Sequence, residues 1–266
     1  MSKREAGKRE MGKHTAPRTR IARHTADSIF VRERNLVEDL IGKLSFTEMM
    51  FFQLMGRQPS RLQTRVLDAV LVTLMEHGFT PSSIVSRLIY DSVPEAMQSA
   101  VAAGLLGVGG TFIGTMEGAS VLIEEMLQAD EGVEARARTI AEAHAAQKKP
   151  MPGFGHPFHK PDDPRSPKLF EIALGEGAEG RHIRALQALA AAVDQAYGRH
   201  LTINVTGAVA AVLGEIGIPP RIMRGLAVVS RCAGLVGHIH EEQQDPSARF
   251  IWDLTARNIP YETNDE

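Results

Sequence analysis

The chain has 266 residues, is 43% hydrophobic and only 5% aromatic, and carries a formal charge of −2. That composition supports a sizeable buried core and argues against a sandwich or barrel built on aromatic cross-strand pairs. A single cysteine, Cys232, excludes an intrachain disulfide framework and any cysteine-rich metal site, and it fits a reducing cytoplasm.

Residues 1–24 form a basic tail, with Lys3, Arg4, Lys8, Arg9, Lys13, Arg18, Arg20 and Arg23 set against Glu5 and Glu10. No apolar run follows these charges, as a secretory signal would require. Nor does any aromatic or motif support mark a nucleic-acid arm, so the tail reads as a solvated or partner-contacting extension. From Asn35 to Met55 apolar residues recur at three- and four-residue steps, and Ser45 with Glu48 makes a capping box. Leu62 to His77 is a second helix, with Val66, Leu67, Val70, Leu71 and Leu74 on one stripe and Gly78 to end it. Further helices are expected from Pro81 to Tyr90, Pro94 to Leu106, Glu117 to Leu127 and Gly132 to Gln147. The run 100–114 is interrupted by Gly104, Gly107, Gly109 and Gly110, so no membrane span of roughly 18 uninterrupted apolar residues is expected. After a loop over 148–163, helices follow at Arg181 to Tyr197, Val205 to Leu213, and from Pro219-Pro220 to about Glu242. With no βαβ alternation and no fixed repeat, the expected class is all-α.

The loop carries the chemistry. Pro152-Gly153-Phe154-Gly155-His156-Pro157, followed by Asp163-Pro164-Arg165, joins a titratable imidazole to a fixed guanidinium in one glycine-rich turn. The glycines permit positive φ and close approach to a ligand, and Arg165 offers a planar fork for a carboxylate. A second informative segment holds Asn204-Val205-Thr206, Gly217-Ile218-Pro219 and Ser230-Arg231. An arginine inside the apolar run around Cys232 is out of place unless an anion meets it. His77-Gly78-Phe79 with Ser82-Ser83 supplies another histidine at a helix end, where backbone carbonyls would equally satisfy it. His238 and His240 do not share a helix face, and no metal site is expected.

These motifs resemble the citrate synthase family, whose histidine loop reads Pro-Gly-x-Gly-His with Asp-Pro-Arg shortly after. The early segment Ile29-Phe30-Val31-Arg32 to Ser45-Phe46, the His77 turn, and Gly237-His238 with Arg249 and Trp252-Asp253 are similar in the same order, over about residues 16–260. The C-terminal part resembles the citryl-CoA-cleaving members. The resemblance implies a helical fold of a large domain (25–147 and 231–266) and a smaller one (148–230). It also implies a homodimer, with His156 catalytic, and His77, Arg165, Arg231 and the neighbour's Arg249 on the substrate. Coenzyme A, as part of the substrate and with no other cofactor, would lie over Lys148, Lys149, Pro152, Gly153, Phe154 and Gly155. The two lysines are otherwise a solvated pair.

The chain also departs from the pattern. Aligning Gly118-Ala119-Ser120 with the family's Gly-Ala-Asn puts Met116 where a catalytic histidine is expected, and Thr206 stands where the family has aspartate. A hydroxyl has no useful basicity near neutral pH, so abstraction of a thioester α-proton is disfavoured. The expected activity is therefore cleavage of citryl-CoA to acetyl-CoA and oxaloacetate, with His156 as the hydroxyl base and Glu117 or water returning the last proton. Alternatives are a condensing enzyme, or a non-catalytic relative that binds an acyl-CoA or a tricarboxylate.

Overall fold

Some helix starts in this chain are set by side chains that take up free backbone N–H groups, as those of Ser45, Ser60 and Asn204 do. The computed structural model describes residues 17–110 and 113–262, so most of the basic tail lies outside the described residues. The chain divides into two compact units, Met1–Pro59 and Ser60–Glu266.

The first unit holds a feature the apolar spacing did not announce, a three-stranded antiparallel sheet of β1 (Ala22–His24), β2 (Ile29–Val31) and β3 (Arg34–Asn35). Ala22 pairs with Val31, and Phe30 with Asn35. The end of the basic stretch is thus a strand, and the Arg23 guanidinium lies 3.9 Å over the Phe30 ring. The turn between β2 and β3 uses Arg32 and Glu33, both at positive φ. Arg32 is held there by Nε and Nη2 donating to the Gln53 carbonyl. The expected single helix over 35–55 is broken. A π-helical turn, Leu36–Leu40, is capped by Asn35, and α1 (Phe46–Met55) begins at Ser45 with the anticipated capping box to Glu48. Val31, Leu40 and Phe52 form this unit's core.

The second unit is built of helices joined by loops. It comprises α2 (Arg61–Met75), α3 (Pro81–Ser92), α4 (Met97–Leu106), α5 (Thr115–Leu127), α6 (Val133–Ala146), α7 (Arg165–Gly175), α8 (Arg181–Tyr197), α9 (Val205–Glu215), α10 (Pro220–Gln244) and α11 (Ala248–Asn258). Every residue from Val205 to Gly214 is buried, so α9 is the axis around which α5, α7 and α8 pack. α10 packs on α2, α3, α4 and α5. By length and composition α10 could cross a membrane. Its buried side nevertheless carries Ser230, Arg231, His238 and Glu242, and His238 and Glu242 bond to Arg87 of α3. Such polar satisfaction marks a core helix of this unit. Two helices were not anticipated. α7 buries only Ser166, Leu169 and Ala173, and α11 buries only Ala248 while Phe250, Trp252 and Leu254 stay exposed.

The start of α8 depends on one carboxylate from the end of α9. Glu215 accepts the N–H groups of Gly180, His182 and Ile183 at 3.0, 2.6 and 3.1 Å, a cap supplied from another helix. The His182 ring sits between Glu215, 3.7 Å from Nδ1, and Glu124, 3.1 Å from Nε2. Glu215 first, and Glu124 after the opposing effect of burial, raise the His182 pKa. Burial works against the Glu215 charge, but His182 and the three N–H groups together hold it below the usual carboxylate range.

A group with a raised folded pKa stabilises fully below its unfolded value, and this contribution is lost as pH rises through the folded pKa; for Glu215 the loss comes instead as pH falls through its lowered value. Urea unfolding should show wild type more stable than His182→Gln by roughly 1–3 kcal/mol at about pH 6, with a smaller gap at about pH 9. An equal gap at both pH values would leave His182 a packing residue.

Candidate active site

A cleft of about 740 Å³ opens in the second unit, and His77, His156, Arg165, Thr206 and Arg231 line it together with Pro152, Phe154 and Gly155. Residues far apart in sequence meet here because the loop before α7 is tied to the start of α9. Gly153 O accepts from Asn204 N at 3.0 Å, Thr202 O accepts from Gly155 N at 2.8 Å, and Asn204 Nδ2 donates to Gly155 O at 2.9 Å. The crossing is too close for side chains. A Cβ on Gly207 would lie 2.5 Å from Gly153 O, and Gly153 itself is at φ +84°. Gly153 therefore packs beneath the cleft, whereas Gly155 lines it.

Asp163 completes the junction. It is 1% exposed and receives Arg165 Nε at 2.9 Å, Arg165 Nη2 at 2.7 Å, and the N–H groups of Arg165 and Val205 at 3.1 and 3.0 Å. Burial opposes its charge, but Arg165 and these N–H groups hold it ionised, below the usual carboxylate range. One edge of the Arg165 fork is thus committed to Asp163, so a ligand meets the remaining N–H groups and not the free fork the sequence implied.

His156 Nδ1 accepts the backbone N–H groups of Phe158 (3.1 Å) and His159 (2.9 Å). A neutral ring held in this way carries its proton on Nε2. Burial first, then His159 and Arg165 against the opposing pull of Asp163, lower its pKa. This corrects the expected role of His156. It presents a donor, because a basic Nε2 would require a proton on the nitrogen that already faces two N–H groups.

His77 follows α2 in a turn held by Glu76, whose Oε1 accepts the N–H groups of His77 (2.8 Å) and Gly78 (2.7 Å) and contacts His238 Nε2 at 2.9 Å. Arg87 Nε donates to His238 Nδ1 at 3.0 Å, so His238 donates from Nε2 to Glu76. Arg87 Nη1 continues the chain to Glu242 at 2.8 Å. Burial, then Arg165, His159 and Arg231, lower the His77 pKa.

Arg231 is 5% exposed. Its Nε and Nη1 have no hydrogen-bond partner among the described residues, and the nearest carboxylate oxygen, of Glu76, is 3.9 Å from Nη1. A buried guanidinium so placed on a cleft is a standing demand for an anion. Among the described residues that line the cleft, Glu76 is the one carboxylate, and it is occupied. Thr206 Oγ1 donates to Asn204 Oδ1 and lies 2.7 Å from Thr115 Oγ1, so two hydroxyls stand where a base was sought.

Other expected residues fall elsewhere. Met116 is wholly buried, and its neighbour Thr115 lines the cleft. Glu117 is paired with Arg224 and does not line it. Lys148 and Lys149 are exposed beside the loop. Arg249, 80% exposed on α11 and 3.2 Å from Asp91, is not brought to the cleft of its own chain. Glu76, Arg87, Thr115 and His159 carried no role in the sequence reading. The spacing His156-x-x-His159 was the one available signal.

Residues 9–252 match the family described as citrate synthase, C-terminal domain. The chain belongs to the citrate synthase family. It is 27% identical over 215 residues to 2-methylcitrate synthase of Shewanella oneidensis, covering 77% of this chain and 55% of that protein. It is 26% identical to citrate synthase of Heyndrickxia coagulans, covering 76% and 53%. The chain thus spans about half the length of the curated relatives it matches. Among solved structures, citryl-CoA lyase from Hydrogenobacter thermophilus superimposes with TM-score 0.83 at 30% identity, over 95% of this chain and 96% of that one. ATP citrate lyase from Methanothrix soehngenii shares the fold, with TM-score 0.78 at 18% identity over 96% of this chain and 43% of that one.

Because this family member buries a guanidinium whose nearest carboxylate oxygen is 3.9 Å away, Arg231→Met should raise its melting temperature or leave it unchanged while weakening binding of malonate, as a probe dicarboxylate, by about 2–5 kcal/mol. A lower melting temperature with unchanged affinity would make Arg231 structural.

Proposed function

We propose that the protein is a carbon–carbon lyase of the citryl-CoA lyase type, cleaving a 3-hydroxy-3-carboxyacyl-CoA, in the first instance citryl-CoA, to acetyl-CoA and oxaloacetate. The observation that carries this reading is the hydroxyl pair Thr115–Thr206 at the mouth of α9, in a cleft whose one lining carboxylate is already bonded. Condensation must take a proton from a thioester methyl group and needs a base there. Cleavage begins at a hydroxyl instead and delivers the electron pair to the thioester.

Arg231 and the free edge of Arg165 hold the substrate carboxylates. The hydroxyl proton leaves to His77, the other neutral imidazole of the lining, while His156 directs its Nε2–H at the tertiary oxygen and stabilises the charge that builds there before the carbonyl forms. As the carbon–carbon bond breaks, its electron pair becomes the thioester enolate, and water supplies the proton that completes acetyl-CoA. The CoA moiety lies over Pro152 to Gly155, with Lys148 and Lys149 toward its phosphates. The partner subunit of a homodimer completes the site with its own copy of Arg249, which is 80% exposed and would exchange its surface pairing with Asp91 for the substrate. The similarity to citryl-CoA lyase over nearly the whole chain supports the cleavage reading.

The condensing direction is the second reading, favoured by the synthase names of the curated relatives. Purified protein given citryl-CoA should release oxaloacetate, followed by its coupled reduction, and Thr206→Ala should retain most of that rate. Citrate formation from acetyl-CoA and oxaloacetate without measurable cleavage would favour the synthase. Separately, mixed His156→Ala and Arg249→Ala subunits should regain activity in heterodimers. No recovery despite proven subunit exchange would refute the shared site.

A further inference from the structure

His159 does not line the cleft, yet it touches both cleft histidines. Its Nε2 is 3.3 Å from His77 Nε2, and its ring meets His77 edge-on at 5.5 Å and 89°. It also overlies the His156 ring at 4.3 Å and 31°. Two imidazole nitrogens at hydrogen-bond distance must share one proton, so one of the pair donates and the other holds a lone pair. His77 Nδ1 has no hydrogen-bond partner among the described residues.

One ring nitrogen from each of these three histidines lies within 4.8 Å of the others, a spacing that invites comparison with a metal site. Ligation asks each ring for a lone pair, with the other nitrogen donating to an acceptor. His156 does the reverse, since its Nδ1 accepts two N–H groups. Arg165 and Arg231 add positive charge to the same neighbourhood. Proton transfer is the chemistry that this arrangement fits.

We infer that His77 and His159 form a proton relay, an assignment that rests on the lyase reading above: His77 takes the substrate hydroxyl proton at Nδ1 and passes its Nε2 proton to His159. The O–H bond breaks as Nδ1–H forms, and the oxygen's electron pair becomes the new C=O π bond. The carbon–carbon pair leaves on the thioester enolate, and the Nε2 proton moves to His159 Nε2. His159 is partly exposed on a loop whose neighbours Phe158 and Lys160 are exposed, so it can release the proton to solvent. The relay answers an electrostatic need. The groups that face His77 are Glu76 in its own turn, His156, His159 and Asp163 of the loop, Arg165 of α7 and Arg231 of α10. A positive charge left on His77 would stand near two guanidinium groups, and passing the Nε2 proton to His159 returns His77 to its neutral form.

His159→Gln keeps an acceptor for His77 but cannot relay, so cleavage of citryl-CoA should lose about 100-fold in kcat with KM changed less than about threefold. Added imidazole should rescue His159→Ala. Unchanged kcat in His159→Gln, or no rescue of a folded His159→Ala protein, overturns the relay. Histidine NMR titration of the full chain decides the pairing without any substrate. The His77 midpoint should move in His159→Gln, because the two rings 3.3 Å apart no longer share a proton, and an unmoved midpoint overturns the pairing. If wild type cleaves no citryl-CoA, the lyase reading and the relay fall together, while a moved midpoint would preserve the coupled pair itself.

Discussion

The buried Asp163 carboxylate is the constraint on which the cleft depends. It receives Arg165 from the start of α7 and the Val205 N–H from the start of α9, while its own N–H donates to Thr202 Oγ1 at 3.0 Å. One acidic side chain thereby sets the separation between the His156 loop, the Arg165 guanidinium and the Thr206 hydroxyl. A buried carboxylate is costly unless all its neighbours donate, and here four N–H contacts from two residues do so. The glycine crossing at Gly153 and Gly207 is the steric side of the same junction, since the backbones can approach only where no Cβ intervenes.

From this junction the electrostatics of the cleft follow. Arg165 is neutralised in part by Asp163, but Arg231 has no ion-pair partner nearer than Glu76 at 3.9 Å, and Glu76 is shared with His238 and two backbone N–H groups. The chain Glu76–His238–Arg87–Glu242 anchors the His77 turn to α3 and α10, so a cleft histidine is positioned by groups outside the cleft. Positive surroundings lower the pKa values of His77 and His156, with burial acting first. Both rings are therefore neutral near pH 7, ready to donate or accept a proton while the arginines supply fixed charge. That division of labour suits a substrate with several carboxylates and one hydroxyl.

Much of this was legible in the sequence, for identifiable reasons. Helices with a buried stripe, such as α2 with Val66, Leu67, Val70, Leu71 and Leu74, announce themselves by periodicity, and the Ser45–Glu48 capping box is local chemistry. His77, His156, Arg165 and Arg231 were each singled out by residue type against context, and the fold brings them to one cleft. The misses lie where local pattern carries no information. α11 leaves Phe250, Trp252 and Leu254 exposed, so no inward stripe signals it. The small sheet relies on Arg32 and Glu33 adopting a conformation usually reserved for glycine or asparagine. The His156 tautomer is dictated by two backbone N–H groups that no motif displays. The Met116 alignment named a position but could not reveal that its side chain is core while Thr115 meets the cleft.

On the proposed lyase reading, chemistry in the cleft starts at a hydroxyl and not at a thioester methyl group. Mass spectrometry of acetyl-CoA incubated with the protein and oxaloacetate in deuterium oxide measures that difference directly. Little label at the methyl group, against ready cleavage of citryl-CoA by the same preparation, is the predicted result. Methyl exchange as fast as cleavage would mean that a base does reach the thioester, and would contradict the account.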